Sequence, residues 1–252
     1  MRFASLGSGS KGNATLVQAG ETTLMIDCGF SLRETTRRMQ RLGLSPDQLQ
    51  GVLVTHEHGD HCAGVARLSA KYQIPVYLTH GTAATGRVDG AHRLHCFNAD
   101  DELVIGDVRV QTVTVPHDAA EPCQFRLSAN GRSLGILTDL GCITPHVVGH
   151  YRDCHSLLLE FNHDLDMLLA GEYPPQLKRR VGGDWGHLNN TQAAALLRQL
   201  ECTEQLNNLV VAHISEKNNS RESAELALAS VLDSLEPVVW ADQVDGFDWL
   251  QV

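Results

Sequence analysis

The chain alternates short apolar runs with amphipathic stretches, and the two patterns predict strands and helices. Runs of four to eight apolar-leaning residues bounded by Gly, Asn or Asp have the length of strands. The first amphipathic stretch has Leu32, Met39 and Leu42 at helical spacing, after Ser31 and Glu34 at the spacing of a capping box. This pattern predicts a helix with Ser31 as its N-cap.

The pattern predicts the following strands and helices along the chain. Predicted strands are Arg2–Leu6, Ala14–Gln18, Thr22–Ile26, Val52–Thr55, Val76–Thr79, Leu94–Phe97, Glu102–Ile105, Val108–Val115, Cys123–Ala129, Arg132–Thr138, Leu157–Glu160 and Leu209–Ala212. Predicted helices are the stretch after Ser31 that Gly43 ends, the stretch from His61 to Tyr72, Thr191–Leu200 and Arg221–Leu232.

Strands and helices alternate at both ends of the chain around a strand-rich middle. Asn130-Gly131 is a strong signal for a two-residue hairpin in that middle region. This order predicts a layered α/β (α+β) fold with mixed sheets. Since no linker, low-complexity block or short repeat divides the sequence, we expect a single domain over residues 1–252.

Composition is that of a soluble globular protein, with 42% hydrophobic and 20% charged residues over 252 positions. No apolar run approaches the roughly 18 residues of a membrane span, so no membrane association is expected. Seven cysteines without a Cys-x-x-Cys pair fit reduced thiols, which predicts a cytoplasmic protein. The net charge of −10 argues mildly against non-specific binding to nucleic acid.

The most informative segment is a cluster of potential metal ligands directly after the apolar run Val52–Val54. It contains His56, His58, Asp60 and His61. Imidazole nitrogen and carboxylate oxygen bind zinc and similar divalent ions. Positions 56 and 58 can converge on one ion while 60 and 61 turn toward a second, although four ligands in one loop can also serve a single ion.

Three further ligand types each follow a predicted strand. They are His117, Asp139 and His213. Open α/β sheets place ligand sites at the carboxyl ends of strands, so we expect these side chains to meet the histidine cluster. Together they would complete the six or seven ligands that two ions require.

His56-x-His58-x-Asp60-His61 followed by His117, Asp139 and His213 resembles the metallo-β-lactamase superfamily. The resemblance covers nearly the whole chain and implies an αββα sandwich with a dinuclear site at one edge of its two sheets. It assigns His56, His58 and His117 to one metal and Asp60, His61 and His213 to the other, with Asp139 bridging. It also makes Asp27 a residue that supports the ligands from behind.

Five segments resemble the YycJ (WalJ) subgroup of that superfamily, which are proposed exonucleases. They are residues 6–13, 116–122, 160–164, 186–190 and 213–219. The stretch from His187 to His213 is also similar to ribonuclease Z-type enzymes, which process the 3′ ends of transfer RNA, and this similarity implies that His187 assists phosphodiester cleavage. Asn189 and Phe161 depart from the pattern, but neither is a ligand. His163 is a second candidate for a supporting residue.

Two metal ions about 3.5–4 Å apart can hold a bridging hydroxide and neutralise charge on a phosphoryl oxygen. A phosphodiester then requires protonation of its leaving group, for which His187 is the candidate acid beside Asp60 and Asp139. The histidine-rich ligand set favours zinc, while the two aspartates also accept manganese or iron. The predicted function is therefore metal-dependent hydrolysis of phosphodiester bonds, with nucleic acid as the expected substrate.

Candidate substrate contacts come from the glycine-rich N-terminal loop, the basic stretch before His187 and the segment after His213. They are Ser10, Asn13, Lys178, Arg179, Arg180, Asn218 and Asn219. The alternative is a hydrolase of a cyclic phosphodiester, thioester or lactone at the same site, which the acidic charge favours. A diiron redox or sensing protein usually has more carboxylate ligands, and a non-catalytic binding module would not keep a full ligand set.

Overall fold

The computed structural model describes residues 1–201, 205–235 and 238–252. The strands are β1 Arg2–Gly7, β2 Ala14–Ala19, β3 Thr22–Ile26, β4 Gly51–Leu53, β5 Pro75–Thr79, β6 Arg93–Phe97, β7 Glu102–Ile105, β8 Val108–Thr114, β9 Cys123–Ala129, β10 Arg132–Leu137, β11 Ser156–Glu160, β12 Asn208–Ala212, β13 Val238–Trp240 and β14 Phe247–Gln251. The helices are α1 Leu32–Arg41, α2 Gly59–Cys62, α3 Val65–Tyr72, α4 His80–Ala84, α5 Pro145–Tyr151, α6 Leu165–Ala170, α7 Pro175–Val181, α8 Asn190–Leu200 and α9 Arg221–Leu228.

The strands form two mixed sheets with the same arrangement of directions. One sheet has the order β14-β1-β2-β3-β4-β5-β6 and the other the order β13-β12-β11-β10-β9-β8-β7. In each sheet, antiparallel pairings on one side give way to parallel pairings on the other, from β3 onward in the first and from β10 onward in the second. The carboxyl ends of the parallel strands therefore meet at one edge of the molecule.

Apolar side chains fill three layers between and outside the sheets. Phe3, Leu24 and Phe125 belong to the cluster between the sheets, whereas Met39 and Leu68 pack helices α1 and α3 against the outer face of the first. Helices α5, α8 and α9 cover the second sheet through another buried cluster. This αββα sandwich confirms the fold class predicted from the sequence.

Local signals explain several element boundaries. The Ser31 hydroxyl accepts a hydrogen bond from the Glu34 backbone N–H and so begins α1. The Glu34 carboxylate does not complete the predicted capping box, because it accepts hydrogen bonds from Arg37 and Arg38 instead. Asn130 and Gly131 both have left-handed φ angles of 52° and 73°, as the predicted hairpin turn requires.

The sequence pattern missed several short elements and made one helix too long. Helix α9 ends at Leu228 instead of Leu232, and the hydroxyl of Ser230 bonds the Ala227 carbonyl just beyond that end. Strands β13 and β14 and helices α4 to α7 were not predicted, since each is too short to show a clear hydrophobic period. In the part of the chain that the structure describes, no helix is long and apolar enough to cross a membrane.

Candidate metal centre

The predicted ligands come together at the edge where the strands of both sheets end. The loop from β4 to α2 carries His56, His58, Asp60 and His61. His117 follows β8, Asp139 follows β10 and His213 follows β12. The parallel registers β10–β11 and β11–β12 align neighbouring strand ends, which is why residues so distant in sequence become neighbours.

Three of the strand-end residues have left-handed backbone conformations. The φ angles are 60° at Asp27, 54° at Asp139 and 52° at His213. Residues other than glycine adopt this region infrequently, and outliers of this kind cluster at functional sites. At each position the left-handed turn comes just after a strand, and the residue in that turn is one of the polar residues of the candidate site.

The first group of ligand atoms consists of three imidazole nitrogens. His56 Nε2 lies 3.0 Å from His58 Nδ1, and His117 Nε2 lies 3.3 Å from the same atom. Nitrogen ligands about 2.0–2.1 Å from one tetrahedral zinc ion are roughly 3.3 Å apart. The spacing of these three histidines therefore fits a single divalent ion.

The second group combines carboxylates with imidazoles. His61 Nε2 lies 3.5 Å from Asp60 Oδ2 and 3.2 Å from Asp139 Oδ2. His213 Nε2 lies 3.7 Å from the same Asp60 oxygen. Asp139 is also 3.8 Å from His117 Nε2, so its carboxylate stands between the two groups.

Hydrogen bonds on the far side of the rings orient the ligand nitrogens. His117 Nδ1 donates to the Gly186 carbonyl at 3.0 Å, and His61 Nδ1 donates to Asp27 Oδ2 at 2.8 Å. These bonds turn Nε2 of both rings toward the other candidate ligand atoms. Asp27 also accepts from the Thr55 N–H and hydroxyl, so its carboxylate contacts both a candidate ligand and the loop that carries it.

Glu160 is a buried carboxylate that the sequence analysis did not single out as a site residue. It accepts hydrogen bonds from the backbone N–H groups of Asp139, Leu140 and Leu188. Its Oε2 also lies 3.1 Å from His187 Nδ1 and 3.3 Å from His213 Nδ1. Glu160 therefore connects the loop of Asp139 with both His187 and His213.

Two features of the electrostatics at this cluster suit a bound cation. Burial lowers the pKa of His56 and of His117, which favours the neutral form that metal ligands need. Burial works against ionisation of Asp139, yet the charges of His213 and His61 hold the pKa of its carboxyl well below the usual range. Asp139 Oδ2 has no hydrogen-bond partner among the described residues, and a divalent ion would satisfy this buried anionic oxygen.

His187 lies beside both ligand groups at the wall of a cavity. The cavity has a volume of about 350 Å³, and His58, Asp60, Asp139 and His213 also line it. Because Nδ1 of His187 faces Glu160, its Nε2 is the ring nitrogen left for a substrate. His187 also forms a possible ligand set with Asp139 and His213.

The predicted substrate contacts divide into two groups. Ser10, Arg180 and Asn218 line the cavity, and Arg180 Nε donates to Asp118 at its rim. The others have different surroundings. Asn13 bonds the Gly9 backbone, Asn219 bonds Phe161 and Asn190, Lys178 bonds the Leu169 carbonyl, and Arg179 is exposed.

Asn13 and Asn219 therefore position loops instead of facing the cavity. Asn13 Nδ2 also lies 3.1 Å from His61 Nε2.

His163 is fully buried, and burial lowers its pKa to about 4. Its Nδ1 lies 3.3 Å from Asn162 Oδ1, and no described hydrogen bond joins it to a predicted ligand.

Comparison with known proteins agrees with this geometry. Residues 22–214 match the model of the "Beta-lactamase superfamily domain", and this range includes every predicted ligand. The chain is 34% identical to exodeoxyribonuclease YycJ of Bacillus anthracis over 238 residues, covering 92% of this chain and 89% of that protein. It is 30% identical to exodeoxyribonuclease WalJ of Streptococcus pneumoniae over 249 residues, covering 96% and 91%.

A solved structure shows the same fold at low sequence identity. The metallo-β-lactamase fold protein YhfI of Bacillus subtilis superposes with a TM-score of 0.76 at 16% identity, covering 99% of each chain. The chain therefore belongs to the β-lactamase superfamily and has the metallo-β-lactamase fold. Its similarity to the YycJ and WalJ proteins confirms the subgroup resemblance, and the chain is a metal-dependent hydrolase.

Proposed function

We propose that this hydrolase cleaves phosphodiester bonds in nucleic acid, in the manner of an exonuclease. The observation that carries the proposal is the position of His187, which shares one cavity with both ligand groups and faces Glu160 through Nδ1. A proton donor beside a metal centre is what a phosphodiester with an alkoxide leaving group requires.

The ligand assignment follows the two groups of atoms. His56, His58 and His117 would hold one ion, Asp60, His61 and His213 the other, with Asp139 shared between them. Bound there, two divalent ions would supply Lewis-acid polarisation of a phosphoryl oxygen and a water molecule with a lowered pKa. We propose zinc as the resident metal because histidines dominate the ligand set; manganese and iron are the alternatives.

Glu160 and His187 would handle the proton of the leaving group. The Glu160 carboxylate accepts from His187 Nδ1, which orients the ring. Nε2 can then donate to the departing oxygen at the cavity wall. Asp60 and Asp139 would neutralise part of the charge of the ions and hold them in place.

Two observations support nucleic acid as the substrate. The most similar proteins described above are named exodeoxyribonucleases and match over nearly their whole length. Ser10, Arg180 and Asn218 also give the cavity donors for phosphate oxygens. The net charge of −10 makes broad non-specific binding unfavourable, so recognition would be concentrated at the cavity.

A second candidate is a hydrolase of a small phosphodiester, thioester or lactone. The cavity volume of about 350 Å³ favours it, because pockets of this size hold single small molecules.

The test is incubation of the metal-loaded protein with DNA and RNA labelled at either end, a chromogenic phosphodiester, a thioester and a lactone. We expect stepwise shortening of an oligonucleotide, abolished by a chelator and restored by zinc or manganese. Cleavage of only the small esters would overturn nucleic acid as the substrate and favour the second candidate. The position of the label on the products gives the polarity.

A further inference from the structure

Tyr173 occupies a wall of the cavity that otherwise presents mainly polar groups. The apolar side chains in the lining are Tyr173, Val181 and Ile214, and Tyr173 is the one phenol ring among the described lining residues. Lys217 Nζ lies 5.8 Å from the centre of that ring, within the range of a cation–π contact. An aromatic face beside a positive charge suits a nucleobase attached to a phosphate.

The turn that carries Tyr173 is fixed in place at both of its ends. Residues 171–174 connect α6 to α7, and a Cβ at Gly171 would lie 2.8 Å from Asn218 Oδ1. Pro174 and Pro175 follow the tyrosine directly and restrict the backbone at the start of α7. The ring is therefore presented on a preorganised backbone, which lowers the entropy cost of binding.

Asn218 links this wall to the metal edge. It is 1% exposed and lines the cavity, and its Nδ2 has no hydrogen-bond partner in the described part of the chain. The backbone carbonyl of Asn218 accepts from the Asp164 N–H, which joins the residues after His213 to the start of α6. A buried amide donor without a partner, in the cavity that Tyr173 also lines, indicates a polar ligand group there.

We infer that Tyr173 stacks on the base of the terminal nucleotide, so that this nucleotide is unpaired when its phosphodiester bond is cleaved. The cavity volume of about 350 Å³ lies at the lower end of the range for pockets that hold one small molecule, which favours a single nucleotide over a base pair. The inference rests on the proposed function and specifies its substrate as an unpaired or frayed strand end. Tyr173 is a specificity residue in this scheme, because it contacts the base and not the reacting phosphate.

The experiment compares two single-stranded DNA oligonucleotides that differ only at their ends. One has ordinary terminal nucleotides, and the other has an abasic tetrahydrofuran residue at each terminus. We expect the wild-type protein to lose roughly 5- to 150-fold in kcat/KM on the abasic oligonucleotide, the range for stacking of one base on an aromatic side chain. Tyr173→Ala should lose a similar factor on the ordinary oligonucleotide and nothing further on the abasic one.

Two variants separate stacking from general damage. Tyr173→Phe keeps the ring and should retain the wild-type preference for ordinary ends. Tyr72→Ala removes a half-buried tyrosine that also has a neighbouring lysine, with Lys71 Nζ 5.1 Å from its ring, but that lies outside the cavity lining. It should leave the ratio of the two rates unchanged.

The possible failures point to different claims. Equal wild-type rates on ordinary and abasic ends, or a Tyr173→Ala protein that keeps the full preference, overturn the stacking role while leaving the proposed function intact. A metal-loaded wild-type protein that cleaves neither oligonucleotide overturns the proposed function, and the role of Tyr173 with it.

Discussion

Two buried carboxylates support the candidate metal centre from opposite sheets, and they do so differently. Asp27 follows β3 of the first sheet and accepts from Thr55 and from one ligand, His61. Glu160 ends β11 of the second sheet and faces both His213 and His187, while also holding the backbone of the Asp139 loop. In the proposed centre, Asp27 would support metal binding alone, whereas Glu160 would support metal binding and the proposed proton donor.

The surroundings of the two carboxyl groups shift their pKa values in opposite directions. Burial raises the pKa of Asp27, although its contact with His61 acts in the other direction. Burial also acts on Glu160, but the charge and hydrogen bond of His187 hold its pKa at about 2. Glu160 is therefore the more strongly stabilised anion of the two, and because it contacts both His187 and His213, changes there should affect more steps of the reaction.

The largest expected effect belongs to His187, which only Glu160 of the two carboxylates contacts. His187→Ala should lower kcat on an oligonucleotide by about 10²- to 10⁴-fold, because protonation of the alkoxide is lost. A substrate with a nitrophenolate leaving group needs no proton and should lose much less. Steady-state rates and metal analysis measure both, with His150→Ala as the control, since this half-buried histidine of α5 lies outside the cavity lining. Equal losses on both substrates, or loss of metal, would argue against the acid role.

Glu160→Gln should rank second, with a loss of about 100-fold in activity, the upper range for residues that orient metal ligands. The amide keeps the shape but has one carbonyl oxygen to serve three backbone N–H groups and two imidazoles. Both metal affinity and kcat at saturating metal should fall. If saturating metal restored the full kcat, Glu160 would act on metal binding alone and the distinction from Asp27 would disappear.

Asp27→Asn should be milder, with metal affinity reduced about 10-fold. Asparagine tolerates the left-handed φ of 60° at this position, but its NH₂ group would face the N–H of His61 or the hydroxyl of Thr55. Isothermal titration with zinc measures the affinity. We expect kcat to recover when metal is in excess; a lasting loss of kcat would show that Asp27 does more than support His61.

Thr55→Val should have the smallest effect. It removes a hydroxyl that lies 2.9 Å from both Asp27 Oδ2 and His56 Nδ1, but keeps the backbone N–H to Asp27. The free energy of unfolding should fall by about 1–2 kcal/mol, measured by urea denaturation, with a change of only a few-fold in metal affinity. An effect on activity as large as that of Glu160→Gln would contradict the ranking of Glu160 above Asp27 and its partner Thr55.

The sequence indicated which candidate ligands would lie together, because their positions depend on local patterns. His56, His58, Asp60 and His61 occupy one loop, and the remaining ligands each follow a recognisable strand. Glu160 was missed as a site residue because the run Leu157–Leu159 makes it look like the end of a buried strand. Its role depends on the parallel register of β10 with β11, which pairs Leu137 with Leu159 and which no local pattern reveals.

Local sequence patterns also did not predict that Tyr173 lines the cavity. Tyr173 lies between two helices too short to show a period, in a Gly-Glu-Tyr-Pro-Pro segment that looks like an ordinary turn. Of the predicted substrate contacts, Asn13 and Asn219 face neighbouring loops, because buried amides satisfy backbone groups as readily as ligands. The expectation of a single domain over residues 1–252 stays a prediction.

Metal stoichiometry tests the central claim most directly, since both carboxylates are assigned to one two-metal centre. The measurement is a titration of the metal-free protein with zinc, with bound metal and oligonucleotide cleavage recorded at each step. We predict that activity rises until two ions are bound per chain and then levels off. Full activity with a single bound ion would contradict a dinuclear centre and the different supporting roles proposed for Asp27 and Glu160.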